Sequence, residues 1–153
     1  MSDAAPRTPL LIPPLGALYR ALEPVAYSAL RLVAGAFLMP HGYPKLFGTP
    51  GLAGAAKAMA AHGLEPALLF AGLIGAVEFF GGLLMAVGLF TRVAATAIAI
   101  EMAYIGFFVL WDKGFFWLKG GFEYALMWCA VAILVALRGG GRYSLDRLVG
   151  REI

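Results

Sequence analysis

Two long apolar stretches separated by a single Thr-Arg pair constrain this chain more than any other feature. Ala67–Phe90 (ALLFAGLIGAVEFFGGLLMAVGLF) and Val93–Trp111 (VAATAIAIEMAYIGFFVLW) are joined only by Thr91-Arg92. Each is long enough to cross a bilayer, which takes about 20 apolar residues at ~1.5 Å rise apiece. Two further apolar runs flank them, about residues 25–47 and 122–137. Inside hydrocarbon the backbone must satisfy its own polar groups, so each run is expected to be a helix and the central two a tight helical hairpin. The expected fold class is all-α. It is an integral membrane bundle of four transmembrane helices over residues 24–138, between an N-terminal tail (1–23) and a C-terminal tail (139–153).

Composition supports a membrane environment and leaves little room for anything else. Of the 153 residues, 61% are hydrophobic and 14% charged, against about half and a quarter in soluble domains. Pro6, Pro9, Pro13 and Pro14 break up the first 23 residues, which lack the apolar core of a cleaved signal. A short interfacial helix is expected over Leu15–Leu22. Cys129 stands alone with no CxxC, which argues against a dithiol enzyme and for a small buried hydrophobe. The net charge of +3 is spread over tails and loops and makes no nucleic-acid site.

Arginine and lysine divide by side in the four-span layout. All eight arginines fall with the termini and the hairpin turn, and all four lysines fall opposite. The positive-inside rule then predicts both termini in the cytoplasm. Tyr43, Phe47, Trp111, Phe115, Phe116 and Trp117 form an aromatic belt at the outer interface, anchoring first and contacting ligand second.

The polar residues inside the spans are the candidate site. A carboxylate at mid-bilayer costs roughly 2.5–3.5 kcal/mol, and this chain carries Glu78 and Glu101 there. Gly75, Gly81 and Gly82 share the helical face of Glu78, which should let a neighbouring helix approach and turn Glu78 into the bundle. Arg31 lies about 9 Å above the inner end of its helix, where it reaches either Glu78 or Glu101 or the inner headgroups. Pro40 and Pro44 are expected to interrupt the first helix. His41, Lys45 and Glu123 are expected to form an outer polar cluster, with Glu78 and Glu101 deeper along one pocket. The alternative is a set of hydrogen bonds that only fixes packing. The stripe Ala95, Ala99, Ala103 and Gly106 fits intramolecular packing or a homodimer. No metal site is expected: there is no Glu-x-x-His pair for a di-iron bundle and no second well-placed histidine for haem. Walker, Rossmann and nucleophile-elbow motifs are absent.

Five segments in order resemble the DoxX family of small bacterial membrane proteins. They are LRLVAG (Leu30–Gly35), HGYPKLFG (His41–Gly48), EFFGGLLMAVGLFTR (Glu78–Arg92), GFFWLKGGFEYAL (Gly114–Leu126) and GGGRYSLD (Gly139–Asp146). The resemblance implies four transmembrane helices. It assigns the family's recurrent polar positions to Arg31, His41, Lys45, Glu78, Arg92 and Glu123; Glu101 is not among them. Some relatives carry a histidine near the outer end of the third helix, where this chain has Leu110-Trp111-Asp112. Named relatives include the DoxD subunit of a thiosulfate:quinone oxidoreductase and subunits of membrane complexes handling oxidative and thiol stress. The resemblance thus implies an inner-membrane redox subunit that meets soluble redox proteins and holds quinone or another small ligand between helices. A non-catalytic or anchoring role within an oxidoreductase complex fits it as well as catalysis does. Two other functions fit the residues: a scaffold or assembly chaperone for soluble partners, and a small-solute or proton pathway.

Overall fold

The computed structural model describes residues 8–151. All regular structure among them is helical: α1 (Leu15–Leu46), α2 (Gly51–Ala61), α3 (Ala67–Val87), α4 (Thr91–Val109), α5 (Glu123–Arg138) and α6 (Leu145–Val149). Helices α1, α3 and α4 are long and apolar enough to cross a membrane. Helix α5 has 16 residues, about 24 Å of rise. Leu32, Phe37, Leu69, Ile100 and Leu137 are all exposed on the helix surfaces, the pattern of a bundle whose outer face meets lipid.

Helix α1 is longer and less interrupted than its sequence suggests. It runs through Pro24, Pro40 and Pro44 and absorbs the short helix expected at Leu15–Leu22. Each proline removes one N–H and frees a carbonyl one turn earlier. Packing against α3 holds the helix together regardless.

The α1–α3 contact is built on absent side chains. A Cβ placed on Gly35 would lie 2.3 Å from the Gly82 carbonyl oxygen, and one on Gly42 would lie 2.5 Å from the Phe79 nitrogen and 2.7 Å from the Gly75 oxygen. Seven residues separate Gly35 from Gly42, and seven separate Gly82 from Gly75. One antiparallel register therefore holds along the crossing, with backbone against backbone.

On the other side, α4 packs on α5. Ala95 and Ala99 are buried, and a Cβ on Gly106 would meet Leu126 Cδ2 at 2.5 Å. The small-residue stripe is thus used inside the molecule. Cys129 is a free, buried thiol whose Sγ donates to the Ala99 carbonyl at 3.4 Å.

Helix termini are tied together at the end of the bundle where α6 lies, called here the terminal end. The connection between α3 and α4 is Gly88-Leu89-Phe90, and α4 already includes Thr91. The cause is Asp146, which accepts from Phe90 N at 2.7 Å, Thr91 N at 3.0 Å and Thr91 Oγ1 at 2.6 Å. One carboxylate from α6 thereby caps the N-terminus of α4 and holds Phe90 in the left-handed region at φ 47°. Arg92 caps in the opposite sense, donating to the Ala136 and Leu137 carbonyls at 2.9 and 2.7 Å at the end of α5. Ser144 caps α6, accepting from Arg147 N at 3.3 Å.

Burial alone would push the Asp146 carboxyl up, but its hydrogen bonds from Thr91 and Phe90 and the nearby Arg31 charge outweigh that. The net result is a carboxyl held below its ordinary value of 3.8. Those partners exist only in the folded chain. The stability they contribute is complete above the ordinary value and is lost as pH falls through the lower folded one. Asp146→Asn should cost about 1–3 kcal/mol at neutral pH. It should also flatten the loss of melting temperature that wild type shows below about pH 4. Thermal melts in detergent across pH 3–7 check both.

Candidate functional site

Helix α3 does not run as a plain α-helix past its acid. Val77–Gly81, which contains Glu78, is a π-turn, and a second π-turn spans Ile105–Val109 in α4. Such turns rotate the following residues by inserting one extra position, and they concentrate at functional sites. Here they lie on the two helices that carry the intramembrane acids.

Glu78 is buried, and its Oε2 forms an ion pair with Lys45 Nζ. Lys45 reaches back along α1 and also donates to the His41 carbonyl at 3.1 Å. The pair sits toward the other end of the bundle, where the α1–α2 and α4–α5 loops lie. Arg31 contacts neither glutamate. It is 2% exposed and lies beneath the α3–α4 turn, donating to the carbonyls of Met85, Ala86 and Tyr143. The register explains the partition: the glycine crossing sets Arg31 beside Ala86, roughly 12 Å along α3 from Glu78. Arg31 thus neutralises the carbonyl end of α3, which also explains Gly88. With φ 74°, a Cβ there would lie 2.6 Å from the Arg31 guanidinium.

The expected outer cluster is divided. Lys45 goes to Glu78, while Glu123 accepts from Trp117 N at 3.2 Å and helps fold the aromatic loop 110–122. In that loop Trp111 stacks on Phe122 at 4.6 Å. His41 is on the surface of α1 but lines a cavity of about 210 Å³ together with Glu78, Tyr124 and Trp128.

Glu101 has a different environment. It is 8% exposed, and neither carboxyl oxygen has a hydrogen-bond partner. It is close enough to Glu78 and Lys45 to interact with both charges. It lies on the wall of an apolar pocket of about 430 Å³ between α3 and α4, lined also by Phe70, Leu73, Val77, Ile100 and Tyr104. Leu73 and Ile100 are exposed at its edge, so the pocket opens sideways from the bundle. Ile105 lines both spaces and separates them. The site is therefore two unequal cavities either side of Ile105, one bearing an ion-paired acid and the other an unpaired one. Among the described residues no group of three His, Cys, Asp or Glu is placed to hold a metal ion.

The helices and the buried acids define a multi-pass helical membrane protein with a polar interior. The DoxX family model matches residues 26–111, and the chain belongs to that family. An uncharacterized protein of Haemophilus influenzae is 35% identical over 128 residues, covering 81% of this chain and 90% of its own length. The uncharacterized membrane protein Rv3486 of Mycobacterium tuberculosis is 32% identical over 162 residues, covering 98% of this chain and 93% of its own. No solved structure matches the chain significantly.

Proposed function

We propose that this DoxX protein is an inner-membrane subunit of a redox or thiol-stress system that binds a small lipophilic ligand between its helices, quinone being the ligand that fits best. In this reading α5 is a fourth span and both termini are cytoplasmic. Residues 1–23 and 139–153 are then tails that meet soluble redox partners. The observation that carries the reading is Glu101: a buried carboxyl with no partner on either oxygen, on the wall of an apolar pocket open toward lipid.

An unpaired carboxylate in hydrocarbon is far more costly than a neutral acid. The reading therefore takes Glu101 as a protonated carboxyl, a single O–H donor just beneath an otherwise apolar wall. A quinone entering from the bilayer offers a flat apolar ring for Phe70 and Tyr104 and a carbonyl to accept that hydrogen bond. The Lys45–Glu78 pair, whose charges act on Glu101, supplies a charged neighbour that biases proton position there. The chain's own part is to bind, orient and hold the proton.

Binding of a short-chain benzoquinone to the purified protein in mild detergent tests this, read as a rise in melting temperature. Glu101→Leu should weaken that binding about tenfold, the worth of one hydrogen bond at ~1.4 kcal/mol. The same variant should be more stable than wild type without ligand, by about 1–3 kcal/mol, because it removes an unsatisfied buried group. Equal quinone binding by both proteins, or no shift in either, would sink the reading.

A further inference from the structure

The terminal end of the bundle carries a second polar concavity, unrelated to the glutamates. It has a volume of about 520 Å³ and is lined by Arg138, Arg142, Arg147 and Arg151 around a floor that includes Gly141 and Gly150. Its acids are already engaged. Asp146 spends both oxygens on Phe90 and Thr91, and Glu23 is ion-paired with Arg138. Arg142, Arg147 and Arg151 are exposed. They leave a local excess of positive charge among the described residues. Glu152, next in sequence, lies outside them.

Two features make this more than a solvated basic tail. First, the guanidiniums are partly pre-oriented on aromatic rings: Arg138 lies 4.1 Å from the Tyr27 ring centre and Arg142 5.7 Å from that of Tyr143. Second, residues next in sequence to those that line it are exposed apolar side chains. Leu148 is 82% exposed, Val149 67% and Leu137 76%. Water is a poor neighbour for such a row, and the headgroup–acyl boundary is a good one. Guanidinium forks match phosphate oxygens two at a time, which lysine does not.

We infer that this concavity binds the phosphate of an anionic phospholipid, with Arg142, Arg147 and Arg151 on the headgroup and Leu137, Leu148 and Val149 against its acyl chains. The inference rests on the helices spanning a membrane and is independent of what occupies the Glu101 pocket. A lipid held here would tie α6, and through Asp146 the α3–α4 turn, to the bilayer surface.

The test reconstitutes the full chain in vesicles of equimolar phosphatidylglycerol and phosphatidylcholine, then extracts it and counts retained lipids by native mass spectrometry. Wild type should retain phosphatidylglycerol in preference to phosphatidylcholine by roughly tenfold or more, the direction set by attraction of surface arginines to anionic headgroups. R142Q/R147Q/R151Q should lose that preference, and the matching triple lysine variant should recover part of it. All three positions are exposed, so the folded state should survive; a melting curve on each variant confirms that. Equal retention of both lipids by wild type, or an undiminished preference in the glutamine variant, overturns the inference. So does an equal rise in melting temperature from inorganic phosphate alone, which would make the site one for soluble anions.

Discussion

Gly35→Leu should prevent the bundle from forming. At this position a Cβ meets the backbone of α3 on three atoms, at 2.3 Å from Gly82 O, 2.5 Å from Ala86 N and 2.9 Å from Ala86 Cα. None of these is a flexible side-chain end, so relief requires α1 and α3 to separate along their whole register. Separation would also pull Arg31 away from the Met85 and Ala86 carbonyls and Lys45 away from Glu78. Ordinary overpacking costs about 1–3 kcal/mol. Adding the broken contacts at both ends puts the expected loss at or above about 4–5 kcal/mol, a large fraction of any small domain's stability. Fluorescence-detected gel filtration of the detergent extract should show aggregate in place of a monodisperse peak. Gly72→Ala is the control: only Leu52 Cδ1, at 3.9 Å, lies near its added Cβ, so the peak should be unchanged.

Breaking the Lys45–Glu78 pair from one side should be nearly as damaging. The side chains are 23% and 6% exposed, so either partner left alone is a charge largely out of water. Removing one member of a buried pair typically costs about 3–5 kcal/mol, whereas replacing both is often neutral. Lys45→Met and Glu78→Met should each lower the melting temperature sharply, and the double variant should recover most of the loss. The recovery distinguishes a paired charge from simple packing, in which the two losses would add. Glu78→Gln should fall between, since an amide still accepts from the ammonium but carries no charge.

The contrast between the two acids shows what the sequence reveals. Glu78 and Glu101 stand out from one fact, an acidic residue in the middle of a bilayer-length apolar run, and both are indeed buried. The helices follow from the same run lengths, and the glycines beside Glu78 announce the close approach of α1. Partners are less legible. Arg31 has three backbone carbonyls around it, and a carbonyl has no residue-type signature. Asp146 lies 55 residues from Thr91 and accepts from its N–H and its hydroxyl, so nothing in the composition of either segment links them. Lys45 was separable from Arg31 only through the helix register, which depends on which glycines meet. The unbroken course of α1 through three prolines likewise depends on α3 lying against it. Local rules alone would have stopped the helix near Pro40.

Glu101 differs from every other polar residue in the bundle's interior. Arg31, Glu78, Thr91 and Asp146 each have hydrogen-bond or ion-pair partners, with Arg31 Nε the one buried atom among them left unbonded. Glu101 has none among the described residues, yet it sits beside a pocket large enough for a ring and open at Leu73 and Ile100. A packing role predicts satisfied oxygens, and a binding role predicts oxygens left free for a ligand. Removing the acid should accordingly stabilise the empty protein while weakening binding, the trade that marks functional sites.

The most direct measurement is covalent labelling of the membrane-embedded protein with a lipophilic carbodiimide, mapped by peptide mass spectrometry. That reagent enters from hydrocarbon and reacts with protonated carboxyls. Labelling of Glu101 with Glu78 spared, and protection of Glu101 by added short-chain quinone, is the result expected here. An unlabelled Glu101, or labelling of Glu78 in its place, would contradict the assignment of Glu101 as a neutral acid reached from the lipid-facing pocket beside it.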